Sequence, residues 1–366
     1  MLEQGIDRAL EIVTVPRDLG DPHAAPRPPL EPHAANRVRA ELNPQSRVHR
    51  AKVPPYTEGV NIVSMKVLVS GSTGLIGSGL VPRLASAGHD VVPLVRRRPG
   101  PTEPAIAWDP EAGAIDRAKL EGADAVIHLA GENVFGRWTA AKKERIRDSR
   151  VLGTRLISET LAGLAARPRT LLAASAIGFY GNRGDEELTE GSASGDDFLA
   201  QVSRDWETAT QPAARAGIRV VNMRFGVVLT PSAGALAKLL PPFRLGLGGP
   251  VGSGNQYLSW IALDDALAVI MRLLTGTLQG AVNITAPAPV TNREFAKTLG
   301  HVLGRPAMIP VPAFALRIAF GTEGAEMLQS GQRVLPARLL ESGFEFRFPT
   351  VEPALRHLLA APASGP

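Results

Sequence analysis

The residues whose type and spacing point most directly to chemistry are three glycines, in the run Gly71-Ser72-Thr73-Gly74-Leu75-Ile76-Gly77. They follow a short apolar run, Val67–Val69, and open a helical stretch that ends near Gly88. A second apolar run, Val91–Val95, closes the unit. Strand, glycine loop, helix and strand in that order make a βαβ unit whose loop can take the phosphates of a dinucleotide. Gly71 allows a tight turn, Gly74 lets backbone N–H groups approach a pyrophosphate, and Gly77 lets the helix pack close. The helix N-terminus, with unpaired N–H groups and the positive end of its dipole, favours negative charge there. Pro82 lies inside this helix and predicts a kink, because it removes one hydrogen bond and crowds the preceding turn.

The end of the second strand decides between two cofactors. A site that prefers NAD carries an acid there, and this chain has Arg96-Arg97-Arg98. Arginine pairs with a 2′-phosphate, so NADP is expected and NAD is the weaker reading. The other explanation of the run is a solvated basic turn.

Further strands at Ala125–Leu129, Thr170–Ala174 and Ile218–Met223 alternate with helical stretches at 138–166 and 198–216. This alternation predicts an α/β chain with a doubly wound parallel sheet of Rossmann type. Ligands of such sheets bind beyond the carboxyl ends of the strands. Segments 71–77, 96–98, 129–132, 174–180 and 224–227 should therefore line one crevice, which puts Leu129, Ala130, Gly131, Glu132, Ala174, Ser175, Phe225 and Gly226 beside a cofactor. Ser175 and Tyr180 are the two hydroxyl candidates for catalysis. Tyr180 could equally hold a loop, and Ser175 could serve the cofactor alone. Glu132 could pair with a nearby arginine. The run from Arg137 to Arg150 reads as a solvated helix face, with Arg150 the residue most able to turn inward. His128, inside an apolar run, reads as a packed core histidine. Asp185-Glu186-Glu187 and Glu190 read as a solvated loop.

With these segments in view, the chain resembles the extended short-chain dehydrogenase/reductase superfamily. More narrowly it resembles the atypical epimerase-family subgroup, whose members end in a domain of unknown function, DUF1731. The stretches HLAGENVFGRWTAAKKERIRDSRVLGT, SAIGFYGNRGDEELTE, RFGVVLTPSAGALAKLLPPFRLGLGGPVGSGNQYLSWI and LQSGQRVLPARLLESGFEF carry the resemblance. It covers nearly all of 65–360 and none of 1–64. It implies NADP at Gly71–Gly77, Val95-Arg96, Leu129-Ala130 and the turn from Arg145 to Arg150. It also implies a Rossmann domain over 65–230, the rest of the core with substrate-region insertions over 231–309, and a DUF1731-like capping region over 310–360.

The departures from the family pattern bear on activity. Ordinary members use a Tyr-x-x-x-Lys pair as proton donor and pKa-lowering partner. Here the corresponding helix begins Asp197-Phe198-Leu199-Ala200-Gln201-Val202-Ser203. A phenyl ring exchanges no proton. Arg150 stands where the family often has asparagine, and Ser175 lies one residue further from Tyr180 than in ordinary epimerases. Two readings follow. One is an oxidoreductase or epimerase acting on a small carbonyl or sugar-like substrate with a nonstandard acid. The other is a non-catalytic NADP(H)-binding module that senses redox state or regulates a partner.

Composition bounds the rest. The chain has 366 residues, is 44% hydrophobic and contains no cysteine, so disulfides and thiolate chemistry are excluded and a reducing cytoplasm is the expected compartment. No run of about 18 apolar residues is present, so no spanning segment is expected. The formal charge of +5 is spread along the chain, and the basic run lacks interleaved aromatics. The expected partner is a small molecule, with neither nucleic acid nor membrane, and no metal is expected at the site. Residues 1–64 hold nine prolines and balanced charge without apolar periodicity. They read as a disordered extension with a short helix at Gln4–Val13, and Met65 stands directly before the first strand.

Overall fold

The computed structural model describes residues 64–100 and 102–360. The readings made for the N-terminal extension, including the helix at Gln4–Val13, fall outside the described residues.

The strands are β1 Lys66–Ser70, β2 Asp90–Val95, β3 Ile106–Asp109, β4 Ala114–Ile115, β5 Ala125–His128, β6 Thr170–Ala176, β7 Glu187–Leu188, β8 Arg219–Phe225, β9 Val227–Leu229, β10 Tyr257–Leu258, β11 Trp260–Ala262, β12 Gly280–Ile284, β13 Val290–Thr291 and β14 Arg333–Val334. Eight of them form one sheet in the order β12-β8-β6-β5-β1-β2-β3-β4. Every pairing in it is parallel except β3 with β4. The chain winds outward from β1 to β3, then returns to the other side of β1 and winds outward again from β5 to β12. The reversal lies between β1 and β5, where an open parallel sheet leaves a crevice at its carboxyl end. This is the Rossmann-type, doubly wound α/β architecture expected.

Burial explains why these strands read as nearly continuous apolar runs. One sheet face packs Val67, Val69 and Ile127 against Leu80 and Leu84 of the helix Gly77–Ser86 and Leu267 and Ile270 of the helix Leu263–Thr275. The other packs Leu68, Val126 and Leu171 against Ile157 and Leu161 of the helix Ala140–Ala162. Both faces are covered, so strand alternation is lost. A separate apolar cluster, with Phe243, Trp260, Phe295 and Leu355, holds the helices Gly234–Arg244, Asn292–Leu303 and Val351–Ala360 together. Parallel pairing of β14 with β7 ties the C-terminal region back to the segment after β6.

Local signals work where they are chemically specific. Thr139 caps the helix Ala140–Ala162 by accepting from the Lys142 N–H at 3.2 Å. Thr291 and Glu294 form a reciprocal capping box. The helix Gly77–Ser86 runs through Pro82 without a break. The single helix expected over 198–216 is instead two, Phe198–Thr208 and Gln211–Arg215. Pro212, with no N–H to donate, starts the second one rather than continuing the first. Beyond Pro310 the chain forms a long helix, Ala313–Gln329, bent at Gly321 where φ is 76°.

Candidate active site

The glycine loop joins β1 to the helix Gly77–Ser86 at the sheet's point of reversal. Gly71 has φ of 69°, and a Cβ there would lie 2.8 Å from the Ala130 nitrogen, so the loop rests directly on the end of β5. Gly77 is pressed against the loop itself: a Cβ would meet the Gly71 carbonyl oxygen at 2.1 Å. The close approach that this glycine permits is therefore to its own loop. Thr73 and Gly74 are exposed at the tip, and the Gly74 N–H donates back to the Gly71 carbonyl at 3.0 Å. No side chain caps the helix, and its first turn contains no acid. The Ser78 and Leu80 N–H groups are taken up by the Gly74 and Ile76 carbonyls, so it is the glycine tip ahead of them that can take an anion with backbone N–H groups.

The side chains beyond the other strand ends divide into two sets. The first lines the crevice. Val95 ends β2, and Arg96, Arg97 and Arg98 leave it exposed, around a shallow pocket of about 340 Å³ that also takes in Trp108 and Asp116. Arg97 is engaged with Glu103, whereas Arg96 is exposed at the strand end. On the far side, Glu132 accepts from Lys142 Nζ at 2.6 Å, and that bond holds its carboxyl below the usual range. The partner of Glu132 is thus a lysine, Lys142, rather than the arginine expected. Arg145 points to solvent.

Arg150 turns inward. Its Cζ lies 3.5 Å from where a Gly131 Cβ would be and 5.0 Å from the Trp206 ring centroid. Among the described residues its guanidinium donates only to the Ile146 carbonyl, at 3.0 Å, and burial lowers its pKa to about 10. The nearest negative charge acting on it, Glu132, is already neutralised by Lys142. A partly buried guanidinium with four donors to spare, beside Gly131 at the end of β5, fits a phosphate-bearing nucleotide.

The second set is buried and closed. Ser175 Oγ donates to Glu207 Oε1 at 2.7 Å. Arg224 grips the same carboxylate through Nε at 2.7 Å and Nη2 at 2.8 Å, and donates through Nη1 to Tyr180 Oη at 3.0 Å. Tyr180 Oη donates to Asn283 Oδ1 at 2.7 Å. The Asn283 N–H donates to Glu190 Oε1 at 3.0 Å. Arg224 also stacks on Phe179 with Cζ 3.5 Å from the ring centroid. Tyr180 has no exposed surface, Ser175 is 2% exposed, and burial raises the Tyr180 pKa. Ser175 and Tyr180 are thus brought together, but through Glu207 and Arg224, and their hydroxyls point into this cluster. Ala174 is buried behind them. Gly226 lets β8 approach β11, since a Cβ there would lie 2.6 Å from the Ser259 carbonyl oxygen.

Glu190 corrects an expectation. It is not part of a solvated loop: burial raises its pKa, and its Oε2 is buried without a hydrogen-bond partner among the described residues. Glu207, Arg224, Asn283 and Glu190 were not recognised as site residues. A charged residue at the end of an apolar strand, Arg224, was the one available signal. His128 is the core residue expected. Its Nδ1 lies 2.5 Å from Ser70 Oγ, and burial lowers its pKa to about 4.

Residues 67–285 match the NAD dependent epimerase/dehydratase family, and residues 311–358 match the domain of unknown function DUF1731. The chain belongs to the NAD dependent epimerase/dehydratase family. It is 44% identical over 298 residues to the epimerase family protein Mb2239 of Mycobacterium bovis, covering 81% of this chain and 98% of that protein. It is 38% identical over 301 residues to the human epimerase family protein SDR39U1, covering 81% of this chain and all of that protein. The crystal structure of human SDR39U1 (isoform 2) with NADPH superimposes with a TM-score of 0.75 at 36% identity, covering 81% of this chain and 99% of that one. A UDP-glucose 4-epimerase from Thermus thermophilus, 19% identical with a TM-score of 0.62, shares the fold.

Proposed function

We propose that the chain binds NADP(H) in the crevice between β1 and β5 and works as an oxidoreductase or epimerase-like enzyme on a small carbonyl or sugar-like substrate. The observation that carries this reading is Arg150: a guanidinium drawn into the crevice beside Gly131 with no carboxylate of its own. The human relative crystallised with NADPH supports the choice of cofactor. The glycine loop and the uncapped helix would hold the pyrophosphate with backbone N–H groups, and Arg150 would supply charge to the same anion. Arg96 would meet the adenosine 2′-phosphate. When bound, NADP(H) supplies hydride exchange at its nicotinamide ring.

The chain's own part is to orient both partners and move a proton. Ser175 would be the hydroxyl at the reacting end, oriented by Glu207. Tyr180 would act as a positioning residue, fixing Arg224 and through it Glu207, because its hydroxyl is buried and bonded on both sides. The capping region, 310–360, would shape the substrate pocket over the sheet end.

One observation favours the rival, a non-catalytic NADP(H)-responsive module: the Ser175 hydroxyl is already committed to Glu207. The first experiment is a titration of the full chain with NADPH and NADH, repeated on Arg96→Ala and Arg150→Ala. Tight NADPH binding that weakens in both variants, with NADH binding little changed in Arg96→Ala, is expected. No binding of either nucleotide would remove both readings. A panel of carbonyl and hydroxyl substrates then separates them: turnover lost in Ser175→Ala at unchanged NADPH affinity supports the enzyme, and no turnover of any substrate supports the module.

A further inference from the structure

Most of the large apolar side chains left in solvent gather in one region. Leu245 and Leu247 follow the helix Gly234–Arg244, Met308 and Ile309 follow the helix Asn292–Leu303, and Phe314 and Ile318 lie four apart on the helix Ala313–Gln329. Each is more than half exposed, and Met308 is 81% exposed. The backbone brings the two loops together. The Ile309 N–H donates to the Gly248 carbonyl at 3.3 Å, Arg305 Nε donates to the Arg244 carbonyl at 3.1 Å, and the Val311 N–H donates to the Pro250 carbonyl at 2.8 Å. The helix bearing Phe314 and Ile318 begins two residues beyond Val311. Such a grouping of exposed aliphatic side chains marks an interaction surface rather than ordinary scatter.

The charges of this region have one sign. No aspartate or glutamate occurs in 208–263 or in 295–322. Arg244, Arg305 and Arg317 stand exposed among the apolar residues. A second copy docked by two-fold symmetry would bring these cations against one another. Aliphatic and phenyl side chains beside arginines, with no acid in either stretch, suit a surface that enters the headgroup layer of an anionic bilayer.

We propose that this face seats the protein on an anionic membrane surface, with Leu247, Met308 and Phe314 entering the acyl boundary and Arg244, Arg305 and Arg317 meeting lipid phosphates. The sequence reading expected no membrane partner because no segment can span one. Among the described residues no helix is long and apolar enough to cross a membrane, and peripheral seating needs none. The same helix, Ala313–Gln329, reaches the crevice rim, where Gly321 approaches Arg137 and Lys143 Nζ pairs with Glu323 at 2.9 Å. The seated face therefore adjoins the site without forming part of it.

The test is sedimentation of the full chain with vesicles of phosphatidylcholine alone and with vesicles in which roughly a third is phosphatidylglycerol. We expect binding to the anionic vesicles only, reversed by high salt. Arg244→Glu with Arg305→Glu should weaken it roughly tenfold or more. Met308→Ser with Phe314→Ser should weaken it by about as much, with NADPH binding and melting temperature unchanged in both variants. Equal binding to both vesicle types, no binding to either, or full binding by the Met308/Phe314 variant would overturn the proposal. So would a concentration-dependent dimer that Phe314→Ser dissociates, which would assign the face to a second copy.

Discussion

Two groups of polar residues stand at the carboxyl end of the same sheet and treat their hydrogen bonds in opposite ways. Beyond β1 and β5 the donors are left open: an uncapped helix, an exposed glycine tip and an Arg150 guanidinium bonded only to a backbone carbonyl. Beyond β6, β8 and β12 the polar atoms close on one another, from Ser175 through Glu207, Arg224 and Tyr180 to Asn283. Donors that face water can exchange it for a ligand, whereas a closed buried network is already satisfied and resists change. In the proposed reading the first region binds the nucleotide, while the second orients Ser175 and holds the second winding of the sheet together.

The largest effect should come from breaking the closed network. Arg224→Met keeps volume but leaves the Glu207 carboxylate buried without its cation, and the expected loss is about 3–5 kcal/mol of stability. Thermal unfolding measures it. Pairing the change with Glu207→Leu should recover much of the loss, because replacing a whole buried ion pair by apolar groups is far milder than orphaning one partner. An Arg224→Met protein as stable as the wild type would erase the contrast between the two regions.

His128 offers a second test on the wall between them. Its pKa is lowered to about 4 by burial, from an ordinary value of 6.5. Between those values the unfolded chain binds the proton and the folded chain does not, so stability falls as pH falls. Moving the imidazole from its ordinary 6.5 to about 4 corresponds to about 3 kcal/mol, fully lost only below pH of about 4. Denaturant unfolding across this range should show the slope, and His128→Leu should flatten it. A slope unchanged in the variant would place the acid sensitivity elsewhere.

How far these regions could be read from sequence follows from how local their causes are. The glycine loop, the Thr139 cap and the Thr291–Glu294 box depend on neighbours in the chain, and each appears where its residues predict. Arg150 was legible because one arginine of a basic helix run fell on the cofactor side. The closed network was not: Glu207 meets Arg224 across 17 residues and Tyr180 meets Asn283 across 103, so only parallel pairing of β6, β8 and β12 brings them together. Glu190 looked like one acid among several in a polar loop, and only its approach to the β12 backbone takes it out of water. In the same way His128 Nε2 and Asn222 Oδ1, both buried without partners among the described residues, are aligned by register on either side of Ala173.

Within the open region, Arg150 should matter more than Arg96. Arg150→Ala removes a charge-assisted hydrogen bond in a partly desolvated place, worth about 1.5–3 kcal/mol, so NADPH affinity should fall roughly 10- to 100-fold. The ligand-free protein should lose about 1 kcal/mol of stability or less, because the guanidinium there meets only a helix carbonyl and the Trp206 ring among the described residues. A large drop in its melting temperature would instead assign Arg150 to the architecture and move it to the other side of the comparison.

Arg96 gives the smallest and most selective effect. Its side chain is exposed beside the pocket at the end of β2, so water screens any phosphate it meets. The gain is then about 1 kcal/mol, and Arg96→Ala should weaken NADPH several-fold while leaving NADH unchanged. Because Arg97 is held by Glu103, it is the less available of the two for a ligand. Releasing it with Glu103→Gln should restore part of the NADPH preference in the Arg96→Ala background, at low salt more than at high. Equal weakening of NADPH and NADH in Arg96→Ala would show that the arginine supports the loop rather than reading the 2′-phosphate.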